Sequence, residues 1–347
     1  MIPKVSIVIR TYNRANMLVD AVTSALKQDY PNLEVIISDD ASNDNTEEVA
    51  QSFANDIRFK YFKNNSEHMS LATHLRKACF EYASGDWILI LDDDDYLIDS
   101  NYISKVIDVI NTDADIVMVH SNCKVLLEDT GEFIDMNKTL PPVSDGRWIF
   151  INYKYAYYGN INCYTLTVVF NRNVAMAVKA FHDDSVTYGE DRESWLKIAL
   201  KGKVGFLKGL SAVYRIHGNN VTRQIDINTF FASMGSILNP YEFAKQGGYF
   251  DANVLERWKR RMIREICEIW LVCSLTTCRN KVARLSEFIT RLSREHPFAL
   301  LSVLKIFKPK TFVKILLSGF NNLIAHQWTY NNRQPHEQLP ETEWLGR

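Results

Sequence analysis

The chain has little of what would mark a stapled or zinc-bearing protein. Its six cysteines are scattered and form no C-x-x-C pair, which excludes a zinc ribbon or a disulfide framework and predicts reduced thiols. No Gly-rich phosphate loop occurs, so phosphate charge would have to be met by a metal ion or by cationic side chains. No run reaches the roughly 18 apolar residues of a membrane span. The apolar run at residues 5–9 is too short for a signal peptide, so the expected location is the cytoplasm. An excess of charge is lacking too: 40 Lys plus Arg stand against 41 Asp plus Glu, which argues against global binding to nucleic acid. Internal repeats and low-complexity segments are absent as well.

What is present is a composition that packs. With 46% hydrophobic and 23% charged residues over 347 positions, the chain reads as globular, as two domains or as one with an appendage. Short β-rich runs at 5–9, 33–38, 58–62 and 87–91 alternate with helical spacing at 17–28 and 46–53, which predicts an α/β fold with a mostly parallel sheet. Residues 87–91 are apolar at every position and should form a central strand covered on both faces. Further strand candidates lie at 116–120, 165–170 and 211–216, while the turn-rich segment 128–154 reads as variable loops.

From about Thr229 the pattern turns to long helices, with a linker expected near Asn239-Pro240 and Gln246-Gly247-Gly248. The division is therefore an α/β domain over 1–225, a helical region over 226–335 and a polar tail over 336–347. Between Glu295 and Glu337 there is no acidic residue, and Lys305, Lys308, Lys310 and Lys314 lie among Phe307, Phe312, Ile315 and Phe320. Such a basic amphipathic stretch suits a peripheral seat on the anionic inner face of the cell membrane, or homo-oligomer packing.

Four clusters carry chemistry. Asp39-Asp40 follow the strand at 33–38; an ionised Asp only accepts hydrogen bonds and suits a ribose or a base N–H, though a helix cap is equally open. Asp92-Asp93-Asp94-Asp95 end the apolar strand. If extended, Asp92 and Asp94 would share a face about 6.6 Å apart and repel by roughly 2.5 kcal/mol at an effective dielectric of 20. A hard cation, Mn²⁺ or Mg²⁺, would relieve that. Glu190-Asp191 open a helix bearing Trp195 and read as a general base or as a cap. Arg215 and His217 follow the last strand, where His217 is either a ligand or a structural histidine.

Taken in order, the strand running into Thr11-Tyr12-Asn13-Arg14, the segments 39–46 and 84–95, Glu190-Asp191 with Trp195, and Tyr214-Arg215-Ile216-His217 give a pattern that resembles the family 2 glycosyltransferases with the GT-A fold, over roughly residues 3–222. The resemblance implies a Rossmann-like, mostly parallel central sheet flanked by helices, with a C-terminal helical appendage. It implies inverting, metal-dependent transfer of a hexosyl unit from a nucleotide-sugar, with UDP-sugars first, to a glycan or lipid-linked glycan acceptor. The product would be O-antigen, capsule or another cell-surface polysaccharide. Under it Thr11, Tyr12, Asn13, Arg14, Asp39, Asp40, Arg76, Asp92, Asp93 and Arg215 hold the nucleotide-sugar. Asp94 and His217 hold Mn²⁺ or Mg²⁺, Asp191 is the catalytic base, and Asp95, Glu190 and Trp195 face the acceptor or support the site. The sequence departs from the family at Arg10, where Pro is usual, and at Glu67-His68-Met69-Ser70, where a Gly-containing turn is common. The rival readings are a non-catalytic nucleotide- or glycan-binding module of the same fold and a glycoside hydrolase, which needs neither nucleotide nor metal.

Overall fold

The computed structural model describes residues 2–64, 68–154, 163–183, 186, 189–218, 220, 226–277 and 281–304. They fall in two compact units, one within 1–150 and 163–218, the other within 151–162 and 219–347.

In the first unit, runs of Val, Ile and Leu build strands that helices then cover. The order is β1 (Val5–Thr11), α1 (Ala15–Leu26), β2 (Leu33–Asp39), α2 (Thr46–Gln51), β3 (Phe59–Lys63), α3 (Leu71–Lys77), β4 (Trp87–Asp92), β5 (Tyr96–Leu97), α4 (Tyr102–Ile110), β6 (Ile116–Leu127), β7 (Glu132–Met136), β8 (Val143–Asp145), α5 (Gly146–Asn152), β9 (Val169–Asn171), α6 (Arg172–Ala177), α7 (Glu190–Ala199) and β10 (Lys203–Ile216). The strands form one sheet in the order β3-β2-β1-β4-β9-β6-β10-β5, with β7 on β6 and β8 on β10. Pairs β1/β2, β1/β4, β2/β3 and β6/β10 are parallel, whereas β9 runs antiparallel to both β4 and β6. The sheet is thus α/β and mostly parallel. Ile88, Leu89, Ile90 and Leu91 of β4 are fully buried, as a strand covered on both faces requires.

At the amino end of the sheet Glu34 is buried and gathers partners from three segments. Its carboxylate accepts from the Ser6 hydroxyl at 2.6 Å and the Ser84 amide at 2.7 Å, and pairs with Lys4 at 2.9 Å and Lys60 at 2.7 Å. This ties the starts of β1, β2 and β4 together, and it lies opposite the end where ligands bind in such sheets.

Several expected elements differ. The segment 128–154 is not all loop: it holds β7, β8 and α5. Residues 165–170 begin as a 3-10 turn (Thr165–Thr167) before β9. The last strand starts eight residues earlier than the expected Ser211, at Lys203, because residues 203–207 already pair with β6 ahead of the register shift between Leu207 and Leu210.

The second unit is helical: α8 (Ile227–Ala232), α9 (Gly235–Gln246), α10 (Ala252–Thr277), α11 (Lys281–Glu295) and α12 (Pro297–Leu304). Trp270 stacks on Phe288 with ring centroids 4.4 Å apart, and Phe230 packs against both. Arg261 of α10 donates to the carbonyls of Ile151 at 2.7 Å and Tyr153 at 2.9 Å. The linker expected at Asn239-Pro240 is instead the interior of α9. Burial of Ile237, Pro240, Tyr241 and Ala244 along one face outweighs the single backbone hydrogen bond a proline forgoes. Among the described residues no helix is long and apolar enough to cross a membrane. The basic stretch from Lys305 onward lies outside the described residues, as does the tail at 336–347.

Candidate active site

Parallel pairing sets the site. Register places Arg10 opposite Asp92 and Thr11 opposite Asp39, so the carboxyl ends of β1, β2 and β4 deliver their next residues to one edge. There β4 stops at Asp92 and the chain turns, with the Asp95 amide donating to the Asp92 carbonyl at 3.1 Å. The extended geometry assumed for Asp92 and Asp94 therefore does not occur, and the Arg10 and Arg14 guanidinium groups pair with the acids. Arg14, just before α1, reaches Asp93 at 3.0 Å and Asp94 at 2.8 Å, while His217 Nε2 lies 3.0 Å from Asp94 Oδ2.

Arg10 donates to Asp92 Oδ1 at 2.6 Å. Burial opposes its charge, yet Asp92 and Glu190 hold its pKa above the ordinary guanidinium value. In the sequence Arg10 stands out only as the residue found where the family usually has Pro, without a role. Asp93 is pushed up to about 6, first by burial and also by Asp94, with Arg14 opposing. Asp95 is driven well above the carboxylate range by burial and by its acidic neighbours. It accepts the Arg215 amide at 2.9 Å and so fixes the end of β10 rather than facing solvent. The Arg215 guanidinium lies 4.7 Å from the Tyr96 ring centroid and pairs with Asp20.

Gly189 takes a left-handed φ of 86°, which lets the chain turn sharply into α7. Glu190 and Asp191 sit in that helix's first turn. Burial, and then the charge of Asp191, raise the Glu190 carboxyl to about 8. Asp191 Oδ1 accepts the Arg192 amide at 2.6 Å, and Oδ2 accepts the Thr165 hydroxyl at 2.6 Å. Thr165 was missed because nothing in a hydroxyl on a β-rich run announces a contact 26 residues away. Trp195 is 1% exposed and packs on Phe170 and Phe181, so it supports α7 from the core and cannot touch an acceptor.

On the other flank Asp39 is spent on structure, accepting the Ser42 amide at 2.9 Å and the Tyr61 hydroxyl at 2.6 Å. Asn13, at φ 53°, accepts from the Asn43 amide at 2.9 Å, and its own amide donates to Ser42 at 2.8 Å. Those bonds present Tyr12, 42% exposed, beside Asp40. His68, from the segment where the sequence is unusual, lies 2.6 Å from Asp40 and 4.4 Å, ring to ring, from Tyr12. Arg76 donates to the Phe181 carbonyl and the Thr73 hydroxyl, both at 3.0 Å.

The donor set at Asp94 and His217 suits a divalent ion: one carboxylate oxygen and one imidazole nitrogen converge. Among the described residues no group of three ligating side chains forms. An ion of the Mg²⁺ or Mn²⁺ type held by these two groups would complete its shell with water and substrate phosphates. The arrangement offers cations for a diphosphate, a ring face with a carboxylate for a base, and a carboxylate at a helix start for a proton.

Residues 6–159 match the family described as Glycosyl transferase family 2. The chain is 30% identical over 219 residues, 63% of its length and 79% of the relative's, to the UDP-Glc:alpha-D-GlcNAc-diphosphoundecaprenol beta-1,3-glucosyltransferase WfaP of Escherichia coli. It is 38% identical over 97 residues to the GalNAc(5)-diNAcBac-PP-undecaprenol beta-1,3-glucosyltransferase of Campylobacter jejuni, a match spanning 28% of this chain and 31% of that one. Among solved structures, S. aureus TarS 1-349 superposes with a TM-score of 0.63 at 15% identity, covering 96% of this chain and 93% of that one.

Proposed function

The chain belongs to glycosyl transferase family 2, and on that premise we propose that it moves a hexosyl unit from a UDP-sugar to a hydroxyl of a lipid-linked glycan, with inversion, during synthesis of a cell-surface polysaccharide. Its being a glycosyltransferase sets aside the hydrolase and the non-catalytic module. The observation that carries the finer reading is the convergence of Arg14 and His217 on Asp94, at 2.8 and 3.0 Å, at the carboxyl edge of the sheet. UDP-glucose and a diphosphoundecaprenol acceptor stand in the name of the E. coli relative, which supports the donor and acceptor classes.

In this reading Tyr12 and Asp40 receive the base, Asp92 approaches the ribose, and Arg14 faces the diphosphate. Asp94 and His217 would hold Mn²⁺ or Mg²⁺, which supplies electrostatic stabilisation of the departing diphosphate. Asp191 takes the acceptor hydroxyl's proton as that oxygen bonds to the anomeric carbon, and the bond from that carbon to the diphosphate oxygen breaks with its electron pair. Thr165 and the Arg192 amide hold the Asp191 carboxylate in place. Glu190 is kept protonated at neutral pH, first by burial and then by the neighbouring charge of Asp191. The basic stretch beyond Phe298 brings the site to the anionic surface where a lipid-linked acceptor resides.

The test is thermal unfolding with UDP, GDP and dTDP, each with and without Mn²⁺. A ligand that binds only the native state raises the midpoint. A Mn²⁺-dependent rise with UDP is expected; no rise with any nucleotide would overturn the donor assignment.

A further inference from the structure

Asp40 is 1% exposed and its carboxylate is already occupied by this chain's own groups. The Asn64 amide donates to Oδ1 at 3.0 Å, the Met69 backbone N–H donates to Oδ2 at 3.0 Å, and His68 Nδ1 lies 2.6 Å from Oδ2. The same imidazole lies against Tyr12, centroid to centroid 4.4 Å with the planes 33° apart. A flat ring with one N–H on Asp40 and one face on Tyr12 makes both contacts that a nucleobase bearing an imide N–H would make there.

A base can reach Asp40 only if one of these partners leaves. Met69 binds through its backbone, and Asn64 is 6% exposed. The His68 side chain is 59% exposed, so water takes over its ring when it swings away. We infer that His68 is a stand-in for the nucleobase, held on Tyr12 and Asp40 in the ligand-free protein and displaced by the incoming base. It thereby sets nucleotide affinity. The inference rests on the reading that Tyr12 and Asp40 receive the base, and it assigns a role to the departure at 67–70 that the fold alone leaves without one.

Calorimetry of UDP and of inorganic pyrophosphate, each with Mn²⁺, on the full chain and on its His68→Ala variant tests this. Removing the competitor should tighten UDP binding by about tenfold, in the range expected for one lost hydrogen bond to a charged group. Pyrophosphate, which has no base, should bind both proteins alike. UDP binding that is unchanged or weaker in the variant overturns the inference while leaving the base site standing. An equal gain for pyrophosphate also overturns it, because the effect would not be at the base. UDP binding to neither protein overturns both the inference and the reading beneath it.

Discussion

Replacing Glu34 by Gln keeps the side chain's shape but removes the charge that Lys4, Lys60, Ser6 and Ser84 surround. Burial by itself would raise this carboxyl, but its hydrogen bonds to Lys60, Ser6, Lys4 and the Ser84 amide bring it from an ordinary 4.5 down to about 2. The folded state therefore binds the proton less tightly than the unfolded chain. The stabilisation is complete above the unfolded pKa and is lost as pH falls from there through about 2. The shift corresponds to about 3 kcal/mol at pH 7, of which about 2 kcal/mol is gone by pH 3. Urea unfolding of both proteins, followed by circular dichroism, should show the stability gap between them narrowing by about 2 kcal/mol from pH 7 to pH 3. A gap that stays constant would refute the reasoning. Sugar transfer at pH 7 should be the same in both, since Glu34 lies at the sheet end remote from the carboxyl edge.

Asp191→Asn should retain UDP-sugar binding by calorimetry while turnover falls by about 10²- to 10⁴-fold; near-normal turnover would remove Asp191 as the base. Thr165→Val should lower kcat by roughly tenfold with the donor KM unmoved, and Thr165→Ser should restore it, because only the hydroxyl on Asp191 is at stake. For Glu190 the sign is opposite to that of Glu34. Its folded pKa is raised from 4.5 to about 8, so its stabilisation is complete below 4.5 and fades as pH rises to 8. Glu190→Gln should then be more stable than the parent at pH 7, with the difference closing toward pH 4.5 in urea titrations.

Legibility followed burial pattern. The strands at the centre announced themselves: β4 is apolar from Trp87 to Leu91, and β1 and β2 lead straight into their polar ends. The full lengths of β6 and β10 did not, because β6 holds Asn122 and Lys124 through pairing with β10 rather than through apolar spacing, and β10 runs on past the register shift at Lys208-Gly209. Pro240 misled for the converse reason: a local breaker was overruled by the buried face around it. At the site, the acids could be found because they follow strands. Their partners could not, since Arg14 to Asp94, Thr165 to Asp191 and His68 to Asp40 are contacts that only the fold creates. The spatial role of Trp195 was hidden as well, for an aromatic in the middle of a helix reads alike whether it faces a ligand or the core.

The path of the chain between its two units has a consequence for synthesis. Ile151 and Tyr153 belong to the second unit, yet Arg261, which binds their carbonyls, follows Tyr153 by 108 residues. At about 5–20 residues per second, the ribosome delivers that arginine roughly 5 to 20 s after the carbonyls emerge. In that interval the sheet, complete once Ile216 is out, can close around β10 while the carbonyls of Ile151 and Tyr153 still await Arg261. A chain cut at residue 225 would stay at that stage, its sheet finished and Ile151 and Tyr153 never met by their arginine.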